Sequence, residues 1–189
     1  MNHKKTRITF LYLLTFLNHA VVSWLILALP KINQHSVVEL GMLMSIKPLC
    51  EAVIVYLYSV ASSFTMKRSL LVCLFGMVIA AACFACAIYL NWFYLLFLAQ
   101  FFLGIGCSAI FIVQVFLAEN SSPDDRTRVF NMMEWFIGIG MSLGPVVGVW
   151  IVHSFGHTSF LRPFFFISVV YFLLIVYYQS AQLDLYVFD

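Results

Sequence analysis

Residues 138–148 read Gly138-Ile139-Gly140-Met141-Ser142-Leu143-Gly144-Pro145-Val146-Val147-Gly148. Gly140, Gly144 and Gly148 recur every four residues, so on a helix they form one ridge without side chains. Such a ridge lets a second helix approach closely. Pro145 lacks a backbone N–H and is expected to bend the helix that carries it. The surrounding sequence is apolar for about 25 residues, which is the length needed to cross a bilayer. A bent, small-residue ridge inside an apolar span points to a bundle of helices in a membrane.

Outward from this stretch the rest of the chain agrees. Of 189 residues, 63% are hydrophobic and 10% charged, against about 25% charged in an ordinary soluble domain. Apolar runs predict an all-α, polytopic membrane protein of six transmembrane helices in one domain, residues 1–189. The spans fall at about 8–29, 38–63, 69–90, 92–117, 129–153 and 162–180. Pro30, Lys31, Asn33 and Gln34 end the first. Lys67 and Arg68 separate the second and third. Asn91 marks a tight hairpin. The polar run Glu119–Arg128 divides the fourth and fifth, and Gly156 and His157 divide the fifth and sixth.

Loop charge sets the orientation. Lys4, Lys5, Arg7, Lys67, Arg68, Arg126 and Arg128 fall on one side, and Lys31 and Arg162 on the other, which makes both termini cytoplasmic. The sequon Asn120-Ser121-Ser122 then lies in the cytoplasm and stays unglycosylated. The first span is too long for a cleavable signal peptide and lacks a cleavage site. The net charge of +2, with no basic patch, gives no footprint for nucleic acid.

Ionisable and polar groups inside spans are costly and usually face a protein interior or a cavity. Lys47 and Glu51 in the second span are four apart and share a face, so they are able to pair. The pair serves either to lower insertion cost or to form a polar cavity wall, with Glu51 offered to a cation or proton. Pro48 between them frees a backbone carbonyl. Glu134, in the fifth span, has no local partner. It either snorkels to the interface or meets a cation in a cavity. Asn18 and His19 lie near the middle of the first span. His19 is either a proton carrier or a hydrogen-bonded bundle residue. Gln100, Gly104, Cys107, Phe111 and Gln114 line one face of the fourth span. They read as a cavity wall, with close packing through Gly104 as the competing account. Spans three and six hold no acidic or basic residue within their cores and are able to face lipid.

No catalytic, metal or cofactor site is expected. Cys83 and Cys86 form a C-x-x-C, but it lies mid-span with no His or further Cys nearby. An intramembrane serine protease would need a nucleophile and a base together. Ser108 lacks that setting, and His153 ends the wrong span. Paired N-P-A channel loops do not occur, nor does a sorting signal; Tyr186-Val187-Phe188-Asp189 ends in a charge.

The pattern Gly140-x-x-x-Gly144-Pro145-x-x-Gly148 resembles the fifth-helix antiporter motif of the major facilitator superfamily. Leu103-Gly104-Ile105-Gly106 resembles the glycine part of its fourth-helix motif, and residues 122–128 resemble the intervening cytoplasmic connection. Within that superfamily the chain is similar to the vesicular amine transporters, especially the polyamine branch. The matching stretches are Met132–Gly140, Ser154-Phe155-Gly156, Leu29-Pro30-Lys31, and Gly41-Met42 with Glu51. The resemblance covers residues of about 20 to 175. It implies exchange of an organic cation, an amine or polyamine, for protons, in a vesicle or other endomembrane. Glu51 and Glu134 would be the acids that attract the amine. Two six-helix halves would rock around a midplane site.

The chain departs from the family pattern at several positions. Ser59, Ser63 and Met66 stand where a Gly, an Asp and a Gly are usual. Gln100 replaces an Arg, and Asn18 replaces an Asp. The family has twelve helices and six are read here, so the chain is expected to be the N-terminal half of a major facilitator bundle. It would need a second half or form a homodimer. The rival expectation is a truncated membrane interaction protein that does not transport.

Overall fold

A computed structural model describes residues 2–32, 36–60, 66–155 and 161–180. The expected breaks at Asn33 and Gln34 and at Gly156 and His157, the loop residue Ser63, and the segment at Tyr186 lie outside the described residues. Seven helices follow one another: α1 (Asn2–Ile32), α2 (Val37–Val60), α3 (Met66–Leu90), α4 (Tyr94–Cys107), α5 (Ala109–Glu119), α6 (Pro123–Phe155) and α7 (Leu161–Ser180). No strand occurs among the described residues, so the fold is all-α. Val37–Val60, Arg68–Leu90, Tyr94–Glu119 and Pro123–Trp150 are long and apolar enough to cross a bilayer. Ile8–Trp24 and Ile167–Tyr177 are shorter apolar stretches. The six-span count therefore rests, for the first and last spans, on sequence beyond those two stretches.

Several boundaries differ from the sequence reading, each for a local reason. The polar run 122–128 is not a loop but the first turns of α6. Ser122 caps that helix: its hydroxyl accepts from the Asp125 N–H at 3.2 Å and donates to the Asp125 carboxylate at 3.0 Å. Pro123 follows in the first helical position, where its missing N–H costs nothing. The helix α2 opens with a reciprocal capping box. The Glu39 N–H donates to Ser36 Oγ at 3.3 Å, and the Ser36 N–H donates to Glu39 Oε2 at 3.0 Å.

The fourth span is interrupted at Ser108, between α4 and α5. The Ser108 hydroxyl donates to the Ile105 carbonyl at 2.6 Å. A serine that bonds back into its own helix in this way tends to distort it. The ladder resumes at once, with the Ile112 N–H on the Ser108 carbonyl at 3.4 Å. Both α2 and α6 run as helices through their internal prolines, Pro48 and Pro145.

Asn91 turns the chain between α3 and α4 with φ of 50°. The Trp92 N–H reaches the Ala87 carbonyl at 3.0 Å and the Asn91 N–H reaches Ile88 at 3.3 Å. These two bonds around one left-handed residue form a Schellman cap. Left-handed backbone costs a residue with a Cβ about 1–2 kcal/mol, least for Asn and Gly. Asn91→Val is therefore expected to lower thermal stability in detergent while Asn91→Gly leaves it unchanged. Equal melting temperatures for the two variants would contradict the cap.

Packing joins α1 to α6, α2 to α4, and α3 to both α4 and α7. The core is built mainly from α1, α3, α4 and α5, with Leu43, Met133 and Tyr171 entering from α2, α6 and α7. The apolar part of α3, beyond Lys67 and Arg68, is two-sided. Leu70, Cys73, Leu74, Met77 and Phe84 are buried, while Val72, Phe75 and Ile79 are exposed. Of the four long spans the least covered are instead α2 and α6, with 6% and 22% of their most apolar stretches buried.

Candidate functional site

Along α6, the Gly140–Gly144–Gly148 ridge lies against α1. A Cβ on Gly140 would stand 2.6 Å from the Phe16 carbonyl oxygen. At Gly144 it would meet the Ala20 carbonyl and the Ser23 hydroxyl, and at Gly148 the Trp24 indole. The two helices thus touch backbone to backbone at Gly140 and Gly144, and backbone to indole at Gly148. Lower down, Tyr12 stacks on Phe136 with centroids 5.2 Å apart, and the Tyr12 hydroxyl donates to the Val129 carbonyl at 3.3 Å. Pro145 is half-buried beside the ridge.

A second close contact brings α4 onto α2. A Cβ on Gly104 would lie 2.7 Å from both the Lys47 carbonyl oxygen and the Cys50 side chain. On the same α4 face Gln100 and Cys107 are buried. The stripe Gln100–Gly104–Cys107 is thus buried, with Gly104 in close contact with α2. Further along, Phe111 and Gln114 are half-buried.

Lys47 and Glu51 form an ion pair of 2.9 Å, with side chains 22% and 30% exposed. The i, i+4 spacing puts both heads on one side of α2, and the pair is neutral in an apolar span. Glu134 is exposed on α6 and has no ion-pair or hydrogen-bond partner among the described residues.

Asn18 is 1% exposed and joins three helices. Its amide donates to the Gly106 carbonyl of α4 at 3.4 Å, and its Oδ1 accepts from the Tyr171 hydroxyl of α7 at 2.6 Å. Next to it, His19 is half-buried, with Nδ1 2.9 Å from the Thr15 carbonyl. A carbonyl only accepts, so Nδ1 carries the proton and Nε2 of the neutral ring keeps its lone pair. A separate chain of contacts runs from Tyr58 to Cys73 at 3.9 Å and from Cys73 to Ser108 at 3.3 Å, linking α2, α3 and the α4–α5 break.

Gln100 is 3% exposed and has no hydrogen-bond partner among the described residues. An unsatisfied buried amide costs roughly 1–3 kcal/mol. Gln100→Leu, close in volume, is expected to stabilise the chain by about 1 kcal/mol, read as a higher melting temperature in detergent. A lower value would mean that the amide has a partner in the membrane.

The structure thus separates the sequence-predicted site residues into groups. Lys47 and Glu51 meet directly. Asn18 enters the interior network with Tyr171, a residue that an aromatic-rich span gives no reason to single out. Glu134 stands apart on the outer face of α6. Gly104 makes the α2 contact, Gln100 is buried on the same face of α4, and Gln114 lies beyond the Ser108 break. Tyr58, Cys73 and Ser108 are not visible as a set in the sequence, because three such residues on three helices leave no spacing signal.

The family model of the Major Facilitator Superfamily matches residues 11–182. That is nearly the whole chain, and the protein belongs to this superfamily of membrane transporters. A comparison with curated proteins gave no match.

Proposed function

We propose that the chain is one six-helix half of a major facilitator transporter that exchanges an organic cation, an amine or polyamine, for protons. A second six-helix half, or a second copy of the chain, completes it. The observation that carries this reading is where the charges lie. Lys47, Glu51 and Glu134 sit on α2 and α6, the two least covered of the four long apolar spans. Intramembrane charge on uncovered helices calls for a protein neighbour or a water-filled cavity. Glu51 is already held by Lys47, so Glu134 is the acid best able to take an incoming ammonium group. His19, with Nε2 available, is the group suited to carry a proton. Both termini lie in the cytoplasm, and the membrane is that of a vesicle or other endomembrane.

The test uses the purified full chain in liposomes with an acidic interior, with radiolabelled spermidine and serotonin as probes. Monomeric chain is expected to take up neither. Chain assembled as a dimer or with a second half is expected to take up one of them, and Glu134→Gln is expected to lower that uptake at least tenfold. Uptake by a verified monomer would overturn the half-transporter reading. No uptake by any assembly would favour a membrane interaction protein that does not transport.

A further inference from the structure

A cleft of about 210 Å³ lies between α1, α6 and α7, away from the charged groups. Its origin follows from the packing. The glycine ridge draws α6 tightly onto α1, while α7 leans on α3 and hardly touches α6. Among the described residues α7 meets α1 at the Phe10–Tyr177 ring pair, 5.8 Å apart near one end, and at the Tyr171–Asn18 hydrogen bond near mid-span. The cleft runs along α1 from Phe16 to Trp24. Eight residues of helix make that about 12 Å.

Among the described residues its walls are almost wholly apolar. Tyr171 contributes ring carbons, because its hydroxyl is turned inward to Asn18. On α6 the floor is the bare backbone of Gly144 and Gly148, and the rim is Leu143 and Val147, both exposed. An apolar cavity of this kind does not hold ordered water, which needs polar partners. The rim continues the exposed apolar surface of α6 that includes Ile139, Val146 and Trp150. In a membrane-embedded bundle such a surface meets the hydrocarbon core.

We propose that this cleft is a lipid site, filled by one acyl chain of a bilayer phospholipid lying against Trp24 and the Gly144–Gly148 backbone. The chain restores the dispersion contacts that the open cleft leaves unmade. It also makes the α1–α6 contact sensitive to the thickness and packing of the surrounding bilayer. The site needs no headgroup recognition, because among the described residues no charged side chain lines it.

Trp24 supplies the readout. It is buried from solvent yet lines the cleft, and bromine atoms on an acyl chain quench an indole they touch. The full chain with Trp92, Trp135 and Trp150 changed to Phe, which leaves Trp24 as sole emitter, is placed in phosphatidylcholine bilayers with and without dibrominated chains. Trp24 emission is expected to fall at least twofold with brominated lipid. Val147→Phe, which fills the cleft from its exposed rim, is expected to restore it. Should the triple variant fold poorly, wild type and Trp24→Phe are compared in the same bilayers, and their difference isolates Trp24. Unquenched Trp24 emission would overturn the proposal. So would quenching that Val147→Phe leaves unchanged, or protection that appears on assembly with a second copy, since a protein then fills the cleft.

Discussion

Gly144→Val is expected to lower the melting temperature of the chain in detergent by about 6–12 °C, the equivalent of roughly 3 kcal/mol for a chain of this length. The new side chain would occupy space already held by the Ala20 carbonyl and the Ser23 hydroxyl. Backbone cannot rotate away as a flexible side-chain tip can, so α6 must move off α1 as a whole. Overpacking of this kind costs about 1–3 kcal/mol even where neighbours are able to shift. The control is internal: Gly138, on the same helix but off the ridge, has no atom of a neighbouring element within 4 Å of where a Cβ would stand. Gly138→Ala should therefore be silent or slightly stabilising, since Ala is the better helix former by about 1 kcal/mol. Fluorescence-detected size exclusion after heating measures both. If Gly138→Ala and Gly144→Val shifted the transition equally, helix propensity rather than close approach would account for the ridge.

The second large effect belongs to the ion pair in α2. Removing one partner leaves the other charge without compensation in an apolar span. Lys47→Met and Glu51→Gln should each destabilise the chain by about 1–3 kcal/mol, below the cost for a fully buried pair because both heads are partly open. The double variant removes both charges and should return to wild-type stability or exceed it. A double-mutant cycle on melting temperature or denaturant midpoint reads the coupling directly. Additive losses would mean that the two charges act independently in the membrane despite their 2.9 Å separation.

Much of the architecture was legible because hydrocarbon imposes a length on every span. The second, third, fourth and fifth apolar runs became helices of the expected placement. The Lys47–Glu51 pair was legible because i, i+4 geometry is local. So was the glycine ridge, though nothing in the sequence said that α1 would be the helix it meets. Two kinds of feature could not be read. One is the local competition at Ser108, where a single hydroxyl captures the Ile105 carbonyl within a run of otherwise ordinary helix formers. The other is contact between distant segments: Tyr171 and Asn18 are 153 residues apart, and one Tyr among many aromatics carries no mark of its partner. Gln100 was legible as a polar group in a span, but its burial without a partner depends on how closely Gly104 seats α4 on α2.

The pairing of α2 with α4 also bears on synthesis. The helix α2 has no other extensive neighbour among the described residues, and α3 and its hairpin must be made before α4 exists. At 5–20 residues per second, α2 waits roughly 2–10 s for its partner. Throughout that interval it holds a lysine and a glutamate in or near the bilayer with no second helix to receive them. Because each is neutralised four residues away on the same helix, the segment is able to leave the translocation machinery and wait in lipid. The ion pair thus acts as a built-in escort for a helix that is born before its companion.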